Sequence, residues 1–270
     1  MLELNKNSVN KKDYFNFFLL GIFSQTTLLI VFYAYKFSTV LDITLIGVLG
    51  AVLAMYAGHY FYKEKMDKRL TIGLIFALAG TIFVILEPLL SPTEGDTTIQ
   101  RLIGNILGLI YNLTWVTYIV WAKMSMGTNS PTLKKALSFI HIKPMTKKYS
   151  PFLIVTLTLY VGLATMIPLA VMENLGFLGS IGGFRVLTIG LNGILGLLYM
   201  SVLSSITAYF LYQWGLERIQ IADQALYNYL NPIFAAPFAY ILLGELPTLN
   251  TLIGGFIIAV GIIIAEVRDS

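Results

Sequence analysis

Apolar residues in this chain neither alternate in twos nor keep to one helical face; they run in long blocks separated by short polar segments. Eight blocks, residues 15–35, 41–62, 70–90, 99–122, 151–172, 191–214, 222–243 and 249–267, can each cross a hydrocarbon core about 30 Å thick, for which roughly 20 helical residues suffice. An apolar run of that length in lipid must satisfy its own backbone N–H and C=O groups, which a helix does. Barrel strands would be segments of about ten residues with alternating polarity. The pattern predicts an all-α integral membrane protein of eight transmembrane helices. The opening "MLELNKNSVNKKDY" is polar, and the first block ends in "VFYAYKF" without a small-residue cleavage pattern, so the first helix is expected to remain uncleaved.

Composition sharpens the class: 57% of the 270 residues are hydrophobic, 12% are charged, and mean hydropathy is +0.76. A soluble globule of this size does not bury that much apolar surface. With no cysteine, disulfides, thiolate metal sites and cysteine nucleophiles are excluded. His59 and His141 stand alone, without metal-ligand spacing, and the chain carries no serine elbow, catalytic carboxylate pair or nucleotide-binding loop. The expectation is a carrier with no cofactor and no metal, not an enzyme or a nucleotide-driven pump. The net charge of +4 points to cytoplasmic loops, and no nucleic acid partner is expected.

Lysine and arginine set the orientation. With the amino terminus inside, Lys6, Lys11, Lys12, Lys63, Lys65, Lys68, Arg69, Lys123, Lys134, Lys135, Lys143, Lys147, Lys148, Arg218 and Arg268 are cytoplasmic, leaving Lys36, Arg101 and Arg185 of the 18 basic residues outside. Both termini and the loop 123–150 are then cytoplasmic, "SPTEGDTT" faces the other side, and a multi-pass protein of the cell inner membrane is expected.

Displacing the sequence against itself by 181 positions superposes Ser24 on Ser205, Thr26 on Thr207, Asp42 on Asp223, Glu64 on Glu245, Gly73 on Gly254 and Gly80 on Gly261. Both copies share the spacing E-x8-G-x6-G. Five crossings separate the two glutamates, and an odd number means that the copies are inverted, as in many secondary transporters. The segment "ADQALYNYLNPIFAAPFAYILLGELPTLNTLIGGFIIAVGIII", with its mid-helix proline, "GE" and two glycines seven apart, resembles the carboxy-terminal signature of EamA-type transporters in the drug/metabolite transporter superfamily. "GHYFYKEKMDKRLTIGLIFALAGTIFVIL" resembles the matching part of that family's first repeat, although Ala51 stands where the second copy has Pro232.

The resemblance implies ten helices in two inverted halves, moving small metabolites, amino-acid-like solutes among them, by alternating access, with export as the expected direction. Against that template residues 1–90 form a first repeat of three helices and residues 91–270 a second of five. Two helices are missing, by an incomplete gene start or in a natural eight-helix protein. The alternative to a transporter is a non-transporting membrane subunit, or an inactive fragment, that packs against a partner. The expected partners are a small-molecule metabolite and membrane lipid, and a homo-oligomer is compatible with the sequence.

Candidate substrate contacts lie in the fourth and seventh blocks. Tyr111, Trp115 and Tyr118 follow i, i+4, i+7 with Asn112 beside them, a spacing that also suits packing or an interfacial belt. Gln224, Asn228 and Asn231 share a helical face; they either fix a solute or join helices by hydrogen bonds. Pro232 follows at once and is a candidate hinge. The hydroxyls Ser24, Thr26, Ser204, Ser205 and Thr207 are expected to bond their own helices. Asp42 and Asp223, each opening a helix, read as caps. Gly47, Gly50, Ala51, Ala54 and Gly58 read as a close-packing seam.

Overall fold

The computed structural model describes residues 9–65, 68–90, 97–175, 190–221, 224, 228 and 230–266, and all regular structure among them is helical. A 3₁₀ turn, Lys11–Asp13, leads into α1 (Tyr14–Phe37). There follow α2 (Val40–Tyr62), α3 (Lys68–Leu90), α4 (Thr97–Ser125), a short α5 (Pro131–Phe139) and α6 (Pro151–Asn174). Then come α7 (Leu191–Leu198), a π-helical stretch (Tyr199–Thr207), α8 (Ala208–Arg218), α9 (Leu230–Leu243) and α10 (Leu249–Glu266).

Six described segments are long and apolar enough to cross a membrane: Lys11–Phe37, Val40–Tyr62, Thr71–Leu90, Thr98–Ser125, Pro151–Met172 and Gly193–Arg218. The last two expected blocks hold the shorter apolar helices Phe234–Leu243 and Leu249–Ala265. Part of the seventh block, Asp223 included, lies outside the described residues. The sixth block is helical as expected, but its middle winds into π geometry, and the Thr207 hydroxyl donates to the Val202 carbonyl five residues back at 2.8 Å.

Within the segment 123–150, which joins two membrane spans, the structure adds a short helix, α5. Ser130 caps it, its hydroxyl oxygen accepting from Leu133 N–H at 3.1 Å, and Pro131 occupies the first position, where its missing N–H costs nothing. Leu133 and Leu137, one turn apart, are buried while Lys134 and Lys135 are exposed.

The chain divides into two compact units. One comprises Met1–Ser24, Ala122–Thr128 and Lys134–Arg218; the other comprises Gln25–Trp121, Asn129–Leu133 and Ile219–Ser270. In the first, α6 packs on α8, and Leu20 and Ile154 are fully buried. Gly21 lies so close to Val161 that an added Cβ would stand 2.4 Å from that side chain. Asp13, also fully buried, accepts from the Thr146 N–H at 3.0 Å, the Thr146 hydroxyl at 2.6 Å and the Tyr149 hydroxyl at 2.5 Å. Burial, and then the neighbouring Asp13 carboxyl, push the Tyr149 phenol up to about 12.

In the second unit α3 and α10 form the most extensive pairing, with α2 on α3 and α9 on α2. Ile46, Val48, Val84, Ile85 and Ile258 make a buried cluster there. The α3–α10 crossing is set by glycines: a Cβ on Gly73 would meet the Gly261 carbonyl at 2.4 Å, and one on Gly80 the Gly254 carbonyl at 2.8 Å. No side chain fits between backbones so close, so the helices touch along these four positions.

Two loops in this unit close alike. Lys63, at φ 59°, donates to His59 O at 3.0 Å after α2; Gly244, at φ 67°, donates to Tyr240 O at 3.0 Å after α9. The next residue in each loop is a glutamate. Glu64 Oε1 accepts from the Ile221 N–H at 3.0 Å, while Glu245 accepts from the Val40 and Leu41 N–H groups at 3.1 and 3.2 Å. Each thereby caps amides at the start of a distant segment. Gly58 makes the first of these caps possible, since any Cβ there would stand 2.3 Å from Glu64 Oε2.

Candidate functional site

Along α4 the residues Arg101, Asn105, Gly108 and Asn112 recur at intervals of four, three and four, one face of a helix. This face is polar where a membrane helix would ordinarily be apolar, and each polar member has a specific partner. Pro88 lies inside α3 and lacks the N–H that would bond the carbonyl of Val84, four residues back. Asn105 Nδ2 donates to that carbonyl at 3.1 Å, so a side chain of α4 fills the gap that the proline leaves in α3.

Arg101 takes two carboxylates through one nitrogen: Nη2 lies 2.7 Å from Asp42 Oδ2 and 2.6 Å from Glu87 Oε2. Asp42 and Glu87 are essentially inaccessible. The Thr248 hydroxyl donates to Glu87 Oε1 at 2.6 Å, the Thr251 hydroxyl to Asp42 Oδ1 at 3.3 Å, and the Ser38 hydroxyl to Asn105 Oδ1 at 2.5 Å. One cation between two acids leaves the triad with a formal charge of −1, and the hydroxyls supply the remaining donors. It joins α2, α3 and α4 through charge, and the start of α10 through Thr251 and the preceding Thr248.

This placement corrects one reading. Asp42 does not cap its own helix: Thr39 Oγ1 accepts from the Asp42 N–H at 3.1 Å, Glu245 takes the two preceding amides, and the Asp42 carboxylate turns to Arg101. Gly50 and Gly58 leave room for the Asn112 amide and the Glu64 carboxylate, and nothing lies within 4 Å of a Cβ built on Gly47. The sequence-based reading passed over Glu87. The signal was a lone acid inside an apolar block, which in lipid requires a partner.

Asn112 is buried and donates through Nδ2 to Ile46 O at 2.9 Å and to Gly108 O at 3.0 Å, holding α4 on α2. Tyr111 and Trp115 are half-buried on the same helix, and the Trp115 ring lies 5.5 Å from that of the buried Tyr118, tilted by 36°. Gln224 is buried, Asn228 and Pro232 are half-buried, and Asn231 is exposed. Pro232 is the third residue of α9, where a missing N–H removes no bond within that helix, and Pro237 is the proline of its interior. The main neighbour of α9 among the described helices is α2, not α4.

Comparison with known proteins agrees with this architecture. An uncharacterized transporter of Archaeoglobus fulgidus is 26% identical over 241 residues, covering 88% of this chain and 71% of its own length. A second from that organism is 28% identical over 83% of this chain and 76% of its own. The uncharacterized transporter YdfC of Bacillus subtilis is 22% identical, and there the chain spans 60% of the relative's length. One protein of known crystal structure superposes with a TM-score of 0.56 at 13% identity, over 92% of this chain and 74% of its own, a likeness of fold. The sequence profile of the EamA-like transporter family matches residues 1–86 and 131–266. The chain, with six long apolar helices among its described residues, is therefore a multi-pass membrane protein belonging to the EamA-like transporter family.

Proposed function

We propose that this protein is a secondary transporter that moves a small, amino-acid-like metabolite across the inner membrane, by export, through alternating access of two inverted repeats. Residues 1–90 supply three membrane helices and residues 91–270 five. The observation that carries the reading is the reciprocity of the second unit's contacts. Glu64 caps Ile221 and Glu245 caps Val40, and each member of one pair lies 181 positions from its counterpart in the other. The glycine contacts obey the same rule: Gly73 meets Gly261, and Gly80 meets Gly254. Contacts that exchange in this way are those of a two-fold axis, and an odd number of crossings between the copies lays that axis in the membrane plane. Two halves of opposite sense supply the near-equivalent inward and outward states that alternating access requires.

The solute is proposed to lie along α4 and the segment leading into α9. The rings of Tyr111 and Trp115 give apolar contact, and Gln224, Asn228 and Asn231 fix the polar end; Pro232 acts as a hinge at the start of α9. Asn112 is assigned a supporting part, since its amide protons are directed to backbone carbonyls. The test is counterflow of radiolabelled amino acids in proteoliposomes, with a melting curve for every variant. Asn228→Ala is expected to reduce transport at least tenfold with an unchanged melting temperature. Normal transport per folded molecule together with early melting would make the asparagines helix joints and displace the site. A protein that moves no tested solute but binds a second membrane chain would favour the subunit reading.

A further inference from the structure

Between Lys123 and Ser150 the chain carries six lysines and no acidic residue. Within it Phe139 is 85% exposed and Ile140 56% exposed, at the end of α5. Lys134, Lys135 and Lys143 flank this apolar pair and are themselves exposed. The segment is pinned at the level where membrane helices begin. Asn16 Nδ2, in the first turn of α1, donates to Lys143 O at 2.9 Å, Thr146 and Tyr149 are bonded to Asp13 just before α1, and Pro151 opens α6. An apolar pair ringed by lysines and held at that depth has a defined complement. We propose that Phe139 and Ile140 dip into the adjoining leaflet while Lys134, Lys135 and Lys143 bind the phosphates of anionic lipid headgroups, making the α5 segment a lipid-sensing surface of this protein.

The physics favours lipid over a soluble acidic partner. Lysine stems reach along apolar surface and present their ammonium groups at the headgroup level, and a ring beside them gains by leaving water. A polybasic segment next to a membrane gains about fivefold in binding per lysine toward an anionic surface, an effect that salt screens.

The test uses the whole chain, whose lack of cysteine permits a single label. Ser138→Cys, next to Phe139, is coupled to an environment-sensitive fluorophore, and the protein is reconstituted into phosphatidylcholine vesicles or into equal parts phosphatidylcholine and phosphatidylglycerol. Emission should be blue-shifted and quenched by nitroxide-bearing lipid in the anionic vesicles, and should return toward its aqueous position in 0.5 M salt, a condition of roughly 4–5 Å screening length. Replacing Lys134, Lys135 and Lys143 by Gln should weaken docking about fivefold per lysine. If that variant melts early, the salt titration of the unaltered chain carries the test. Equal quenching in both vesicles, insensitive to salt and lysine replacement, would leave an apolar anchor without headgroup binding and overturn the proposal. A label that stays in water in every vesicle also overturns it and assigns the surface to a soluble partner.

Discussion

Arg101 is the residue on which the buried Asp42 and Glu87 carboxylates depend. Asp42 and Glu87 both reach one of its nitrogens, and their other oxygens are met by threonine hydroxyls, so removing the arginine strands two carboxylates away from water. Arg101→Ala is expected to destabilise the protein by about 3–5 kcal/mol in a detergent melt, because an uncompensated buried charge costs more than the pair contributes. Combining Arg101→Met with Asp42→Asn and Glu87→Gln should recover much of that loss. A single Arg101→Ala variant that melts with the unaltered protein would show that the triad is solvated and not structural. Sequence reasoning singled out Asp42 alone of the three, passed over Glu87, and counted Arg101 only among the basic residues of the outer side. The first-turn position of Asp42 suits a cap, and only the approach of Arg101 across three helices reveals the other use.

Single helices were the most legible level, since long apolar blocks in lipid have one economical backbone solution. The expected boundaries of the first five blocks match α1, α2, α3, α4 and α6 to within a few residues. The π-helical stretch was not legible, because its residues share the composition of an ordinary membrane helix and only the i to i−5 bonding sets it apart. Helix α5 left a readable trace, Ser-Pro followed by leucines one turn apart, that a search for blocks of twenty passes over. The glycines of α3 and α10 were legible as a repeat but not as each other's contacts. That pairing gives a sharp expectation: Gly73→Val presses a branched side chain into the Gly261 backbone and should cost at least about 1–3 kcal/mol, the range for overpacking. Gly47→Ala, with nothing within 4 Å of the added carbon, should be neutral or stabilising by up to about 1 kcal/mol. Melting curves for the two variants side by side decide it, and equal melting temperatures would mean that the α3–α10 crossing yields without cost.

For the whole molecule, the distribution of basic residues predicts the orientation in the membrane. Cysteines introduced singly at Lys65 and Gln100, both exposed, should differ in intact cells: an impermeant maleimide should label position 100 and leave 65 untouched until the cells are opened. The reverse result would invert the topology and place the α5 segment on the outer face. The substrate was the least legible feature. Its proposed contacts are amides and aromatic rings that also serve as helix joints, as Asn112 does, and side-chain chemistry alone does not separate the two uses.

The glutamate caps carry a consequence for synthesis. The Val40 and Leu41 amides receive their acceptor from Glu245, which lies 204 residues beyond Leu41. At roughly 5–20 residues per second a ribosome needs on the order of 10–40 s to reach it. Throughout that interval α2 enters the bilayer with an unfinished amino-terminal end, beside a carboxylate triad that still lacks Thr248 and Thr251. The contacts that complete the amino-terminal end of α2 therefore form only once the last helical pair has been made, so this end of the fold is expected to close late in synthesis.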